Sequence, residues 1–261
     1  MSYYQNKRQY WKSKVGGRPT LGGGARRRYY RSQKSGRSFV PRTMGPFAVT
    51  ESKYFDSFLA ATEVAEGTAW TGTELDPGTL NTLVCPSEGS DINNRIGRKI
   101  AIYKLQIRGV ITTTSLAGQG GGIANPSVRL ILFIDQQTNG TQAQGEDLMA
   151  SPGAASVPLV FNTFQNLANL GRFRVLRDKT YTGRLMAMST QNTTTQDLAV
   201  PDLPFKMTVR FKKPLIMNFN STNGGTVGDI VDNSFHLIGQ KSGTGFASNV
   251  AYQCRASYKD H

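Results

Sequence analysis

Cationic and aromatic side chains are interleaved through residues 1–42, a segment that contains no Asp or Glu. Lys and Arg can neutralise phosphates, and Tyr and Trp rings can stack on unpaired bases without reading their sequence. Arg suits both roles, because its planar group pairs with phosphate and also stacks. The pattern predicts binding to a single-stranded nucleic acid through Lys7, Arg8, Lys12, Lys14, Arg18, Arg26, Arg27, Arg28, Arg31, Lys34, Arg37 and Arg42, with Trp11, Tyr29 and Tyr30 as stacking residues.

Most of the excess charge of the chain lies in this same segment. The 261 residues have a formal net charge of +14, and residues 1–42 hold 12 of the 31 Lys and Arg residues. The rest of the chain, with 19 cations against 17 anions, is close to neutral. A cationic block with so few apolar residues buries too little surface to fold alone. We therefore expect a disordered arm over 1–42, with a nuclear localisation signal at RRRYYRSQK (26–34), and one folded domain over 43–261.

The folded domain is predicted to be all-β. Residues 128–135 are apolar on both faces, as in a covered central strand, and helix is expected only as short turns at 145–150 and 164–170. With weaker strand signals elsewhere, the total is eight strands, which favours a single antiparallel jelly roll of two four-stranded sheets with long loops. The other strand segments are 53–60, 79–84, 98–111, 173–179, 204–219, 234–239 and 249–259.

Three of these segments alternate between apolar and polar residues with period two, which predicts half-buried strands. Pro214 interrupts one of them and indicates a bulge, an edge or a break. In segment 98–111 the predicted apolar face is Ala101, Tyr103, Leu105, Ile107 and Ile111. The polar faces of the three segments carry Lys104, Arg108, Lys206, Arg210, Lys212, Arg255 and Lys259.

One sheet of a jelly roll contains the strands lettered B, I, D and G, side by side in that order. Segments 98–111, 204–219 and 249–259 fit D, G and I. The seven cations are therefore expected on one sheet surface, where they either face a bound nucleic acid or form an ordinary solvated face.

The chain offers little material for catalysis or metal binding. It has two histidines, His236 and His261, and two cysteines, Cys85 and Cys254, without metal-ligand spacing. We expect no Ser/His/Asp set, no catalytic residue, no metal and no cofactor, and hence no enzyme. Asp229 and Asp232 are expected in a solvated loop, with a cation site at a subunit contact as the alternative. No apolar run approaches the ~18 residues of a membrane span, and no signal peptide is apparent.

Five segments, taken in order, resemble the capsid proteins of circular Rep-encoding single-stranded DNA viruses, the group around the circoviruses. A basic, tyrosine-containing N-terminus precedes them, as in that group. The segments are ESKYFD (51–56), NNRIGRKIAIYKLQIRG (93–109), VRLILFIDQQTNG (128–140), EDLM (146–149) and RFRVLRDK (172–179).

The resemblance implies a jelly roll that assembles with copies of itself into a small icosahedral, T=1-like shell around a single-stranded DNA genome. It implies that the basic arm points inward and directs nuclear import. The expected partners are the DNA genome, other copies of the chain, host nuclear import receptors and a host-cell attachment receptor. The expected locations are the virion and, during assembly, the host nucleus.

Two alternatives remain open at this point. The first is a non-assembling protein that binds single-stranded nucleic acid, which would show exposed aromatic residues on a groove of its folded domain. In this sequence we expect the aromatic residues in the arm and on apolar strand faces instead. The second is the coat protein of an RNA satellite virus with the same fold.

Overall fold

The structure is a computed structural model in which Thr50–His261 forms one compact unit. The predicted arm, its nucleic-acid-binding residues and the boundary after Arg42 lie outside the described residues, so they stay predictions. The structure describes residues 52–65, 70–71, 75–115, 126–150, 161–183, 186–187, 198–199, 201–242 and 246–260.

Strands dominate the described residues, as the sequence predicted. The helical elements that lie wholly within the described residues are the short α1 (Gly145–Leu148) and two 3-10 turns, Leu167–Asn169 and Val227–Asp229. The first two of these confirm the short turns expected at 145–150 and 164–170. The strands are β1 (Lys53–Glu63), β2 (Lys99–Ser115), β3 (Ser127–Asp135), β4 (Phe173–Thr182), β5 (Met186–Ala187), β6 (Leu198–Ala199), β7 (Leu203–Phe219), β8 (Ile230–Asp232), β9 (Ser234–Ser242) and β10 (Phe246–Asp260).

The larger sheet has the predicted neighbours. Its main strands lie in the order β1-β10-β2-β7, and each pairs antiparallel with the next. This is the B-I-D-G order, with β2, β7 and β10 in the places assigned to segments 98–111, 204–219 and 249–259. The short strands β6 and β5 extend the sheet beyond one end of β2, and β8 pairs with β7.

The smaller sheet departs from the predicted four strands. Within the described residues it has three, in the order β4-β3-β9. On the free side of β9, where a fourth strand would pair, the described residues form one isolated bridge, from Thr71 to Gly239. The predicted strand at 79–84 is wrong, because Pro77 starts a turn there and Asn81 has a positive φ of 54°, a left-handed conformation that extended strands do not use.

The core lies between the two sheets and follows the predicted alternation in β7 and β10. Met207, Val209, Val250 and Tyr252 are buried against Leu130, Leu132 and Leu237 of the smaller sheet, in one apolar cluster. Strand β3 is buried on both faces, as predicted, because a second cluster covers its other side. That cluster contains Trp70, Ile131, Phe133, Leu148, Phe173 and Ile238.

The first part of β2 has the opposite facing from the one predicted. Ile100 and Ile102 are fully buried, whereas Tyr103 is 38% exposed. The cause is a pair of bulges, one against β7 between Ile102 and Lys104 and one against β10 between Ser257 and Tyr258. An extra residue in a strand moves the following side chains to the other face. Pro214 lies in the extra residues of β7, which confirms that it marks a bulge.

A buried hydroxyl group of β10 forms a hydrogen bond with the segment before β2. The Tyr252 hydroxyl donates a 2.6 Å hydrogen bond to the Leu75 carbonyl, and both residues are buried. Tyr252→Phe should therefore lower the free energy of unfolding by about 1–2 kcal/mol, since the carbonyl loses its partner without access to water. Denaturant unfolding measures the effect. Tyr54→Phe, whose ring is 44% exposed, is the control and should change nothing; equal effects would contradict this role for Tyr252.

Candidate nucleic-acid interface

The structure places the seven predicted sheet cations on one outer surface, which we call the basic face. Cross-strand pairing sets Lys104 opposite Arg210 and Arg108 opposite Lys206. Adjacent strands lie about 4.8 Å apart, so these cations form a continuous patch over β10, β2 and β7. Lys104 and Lys259 are half-buried, and the other five are exposed. The basic face comprises Lys104, Arg108, Lys206, Arg210, Lys212, Arg255 and Lys259.

One basic-face residue is neutralised by a carboxylate. Arg255 and Asp56 form a bidentate pair, with 2.6 Å between Nε and Oδ1 and 2.5 Å between Nη2 and Oδ2. The hydrogen bond to Asp56 raises the pKa of Arg255 above its ordinary value. Among the described residues, no carboxylate lies within ion-pair distance of the other six. Six uncompensated cations on one sheet surface suit a polyanion.

Three exposed aromatic rings border this surface, and the sequence did not predict them there. Tyr54 and Phe58 are 44% and 74% exposed on the outer face of β1, and Tyr103 is exposed on β2 beneath the Lys259 ammonium group, 5.6 Å away. The expectation that aromatic residues of the folded domain lie on apolar faces is therefore wrong for these three. The period-two pattern of β1 could have located Tyr54 and Phe58, since both share the facing of Asp56.

A Ser-His-Asp set is present after all, but it is buried. His236 Nδ1 lies 2.6 Å from Asp76 Oδ2, and Nε2 lies 2.7 Å from the Ser234 hydroxyl. The hydroxyl of Thr138 donates to Ser234 over 2.6 Å. These are the contacts of a catalytic triad, yet none of the three members is more than 1% exposed. Because all three side chains are buried in the described conformation, we assign the network to structure.

The remaining titratable residues singled out in the sequence also have structural surroundings. Both cysteines are free and buried, and burial raises the pKa of Cys85 to about 12 and that of Cys254 further. Asp229 is buried rather than in a solvated loop. Burial raises its pKa, but hydrogen bonds from Thr222, Gly225 and Thr226 outweigh this and hold the pKa below its ordinary value.

Asp232 is half-buried and accepts hydrogen bonds from Asn218 and Asn233. In the part of the chain that the structure describes, no three His, Cys, Asp or Glu side chains are grouped as metal ligands. No helix there is long and apolar enough to span a membrane.

The fold and this surface define an all-β protein of two antiparallel sheets with a cationic, aromatic-bordered face. No family model matches the chain, and no curated protein matches it. One similar solved structure is dimeric latent PorU from Porphyromonas gingivalis, with 11% identity, a TM-score of 0.29, and coverage of 83% of this chain and 14% of that one.

A second similar structure is the 60-mer of the BFDV capsid protein, with 6% identity and a TM-score of 0.29. The match covers 81% of this chain and 93% of the capsid protein. Similarities this weak identify no family.

Proposed function

We propose that this chain is a structural viral capsid protein that self-assembles into a small icosahedral, T=1-like shell. It packages single-stranded DNA through its basic N-terminal arm, assembles in the host nucleus and ends in the virion. The observation that carries the proposal is the basic face: six uncompensated cations on the outer surface of the B-I-D-G-ordered sheet. A cationic leader and a cationic sheet on one chain supply two surfaces for the same polyanion.

Self-association has its own support in the segment between α1 and β4. Phe164 is 86% exposed, Leu167 is 81% exposed and Leu170 is 52% exposed. Leu167 and Leu170 are three residues apart across the 3-10 turn Leu167–Asn169, a spacing that puts side chains on one side of a 3-10 helix, and Phe164 lies just before the turn. Clustered apolar side chains on a surface mark contacts with other proteins. We assign this cluster to contacts between copies of the chain.

The proposal is tested by purifying the full-length chain after expression. Electron microscopy and light scattering should show uniform particles, and the nucleic acid inside them should survive external nuclease. Digestion of the extracted material by DNase rather than RNase distinguishes the DNA-packaging capsid from a satellite-virus coat of the same fold. A particle without protected nucleic acid would contradict the packaging role.

A non-assembling protein that binds single strands is the second candidate. The exposed rings of Tyr54, Phe58 and Tyr103 favour it specifically, since base stacking on the folded domain is the signature of such proteins. A chain that remains monomeric at all salt concentrations while binding single strands would establish this candidate and exclude the shell.

Removal of two charges from the basic face can be compared with removal of two charges from the other sheet. Arg108→Gln with Lys206→Gln should weaken oligonucleotide binding and lower the slope of its log-log salt dependence by roughly 1.4, about 0.7 for each lost phosphate contact on a single strand. Arg174→Gln with Lys179→Gln removes the same charge from exposed positions of β4, on the other sheet. Fluorescence anisotropy over a salt series measures both slopes. Equal changes in the two variants would reduce the basic face to an ordinary solvated surface.

A further inference from the structure

Phe58 has an apolar ring that is exposed to solvent at the edge of the basic face. Strand β1 forms one outer edge of its sheet, and Phe58 is 74% exposed there. The register puts Phe58 opposite Gln253, Gln253 opposite Arg108, and Arg108 opposite Lys206. At about 4.8 Å per strand, the Arg108 backbone lies roughly 10 Å from that of Phe58. One row across four strands thus runs from a ring through an amide to two cations.

A surface depression of about 440 Å³ lies along this row. Phe58 and Asp56 line it from β1, Gln253 and Arg255 from β10, and Gln106 and Arg108 from β2. A ring offers stacking, an amide offers hydrogen bonds to base edges, and a guanidinium offers a phosphate contact. The row therefore offers, in order, partners for the face of a base, the edge of a base and a phosphate, as one nucleotide requires.

The arrangement recurs one step along the sheet. Tyr54 shares the outer face of β1 with Phe58, four residues or about 13 Å away. Its row runs through Ser257 to Lys104 and Arg210. Aromatic rings therefore lie on β1 in both rows, and unpaired cations lie on β2 and β7 in both.

The row between these two indicates which side of a bound strand faces β1. Its β1 residue is Asp56, whose carboxylate is bound to Arg255. The paired Asp56 and Arg255 leave no uncompensated positive charge in this row beside β1, so that edge suits bases, and the cations of β2 and β7 suit the phosphate backbone.

We propose that Phe58 and Tyr54 form a base-stacking strip, and that a single strand runs along β1 with its bases on this strip and its phosphates on the cations of β2 and β7. This inference rests on the proposed function, because it assigns a nucleic acid to the basic face. It adds base stacking by the folded domain to the stacking predicted for the arm.

The test uses the full-length chain mixed, before assembly, with a single-stranded thymidine oligonucleotide containing 5-iodo-2′-deoxyuridine. Irradiation followed by peptide mass spectrometry should locate crosslinks at Phe58 or Tyr54 as well as in the arm. Phe58→Leu keeps an apolar side chain but removes the ring, and it should reduce oligonucleotide affinity about fivefold or more. Phe58→Trp retains a stacking surface and should bind as the unchanged chain does.

The outcomes separate this inference from the proposed function. Crosslinks confined to the arm, with Phe58→Leu binding as well as Phe58→Trp, would overturn the stacking strip and leave the packaging role standing. Absence of crosslinks from both regions, together with empty particles, would remove the proposed function itself. Since Phe58 is exposed, neither variant should alter folding, and an unchanged denaturation midpoint verifies this.

Discussion

Particles assembled from a chain that begins at Thr43 are expected to contain little nucleic acid. Truncation removes 12 cations from each subunit, whereas the basic face retains only six that have no carboxylate partner among the described residues. If about half of the arm cations contact phosphates, the slope of the log-log salt dependence should fall by roughly 4, at about 0.7 for each contact. Many arms facing one interior also act together, so the loss multiplies across the shell.

The measurement is the ratio of nucleic acid to protein in purified particles, from absorbance and from gels of the extracted material. The matched control carries an arm of identical composition in shuffled order. It should package normally, because charge neutralisation and stacking do not depend on the order of the residues. Truncated particles that enclose as much nucleic acid as the full-length chain would refute the division of roles between arm and folded domain.

The strands whose facing could be predicted are those with one face in the core. In β7 and β10 the alternation of residues such as Met207 and Val250 with polar neighbours follows directly from burial of a single face. Tyr103 was placed wrongly because bulges arise from the pairing of distant strands, which local periodicity does not contain. The strand predicted at 79–84 was wrong for a different reason. The segment forms a turn, and its apolar residues are buried in the core although they are not in a strand.

The residues of the candidate site also differ in how far the sequence could predict them. Its cations were predictable because they alternate with core residues, so their facing follows from the pattern. Its rings were missed, because β1 carries aromatic residues on both faces and only their shared facing with Asp56 marks Tyr54 and Phe58 as outward. Phe55 packs against the core while Tyr54 and Phe58 face outward, and residue type alone cannot separate them. The pair of Asp76 and His236 was invisible for a third reason, since 160 residues separate its members.

That buried pair should be among the most sensitive positions for stability. The carboxylate of Asp76 accepts hydrogen bonds from the Leu237 amide at 3.1 Å, the Gln142 amide at 3.0 Å and the His236 ring at 2.6 Å. It thereby attaches the segment before β2 to β9 of the smaller sheet, beside the single bridge at Thr71. Asp76→Ala would leave buried donors without an acceptor, at about 1–3 kcal/mol for each unsatisfied group.

Denaturant unfolding of the unassembled full-length chain measures this loss, at a fixed protein concentration so that subunit contacts do not contribute. Asp56→Ala is the matched control, because it also removes a carboxylate with a close hydrogen-bonding partner, but from a pair whose members are 56% and 60% exposed. Water replaces the lost contacts there, so its midpoint should hardly move. Asp76→Asn, which keeps an acceptor oxygen, should fall between the two. A loss for Asp76→Ala no larger than for Asp56→Ala would mean that the network contributes no more to stability than an exposed ion pair does.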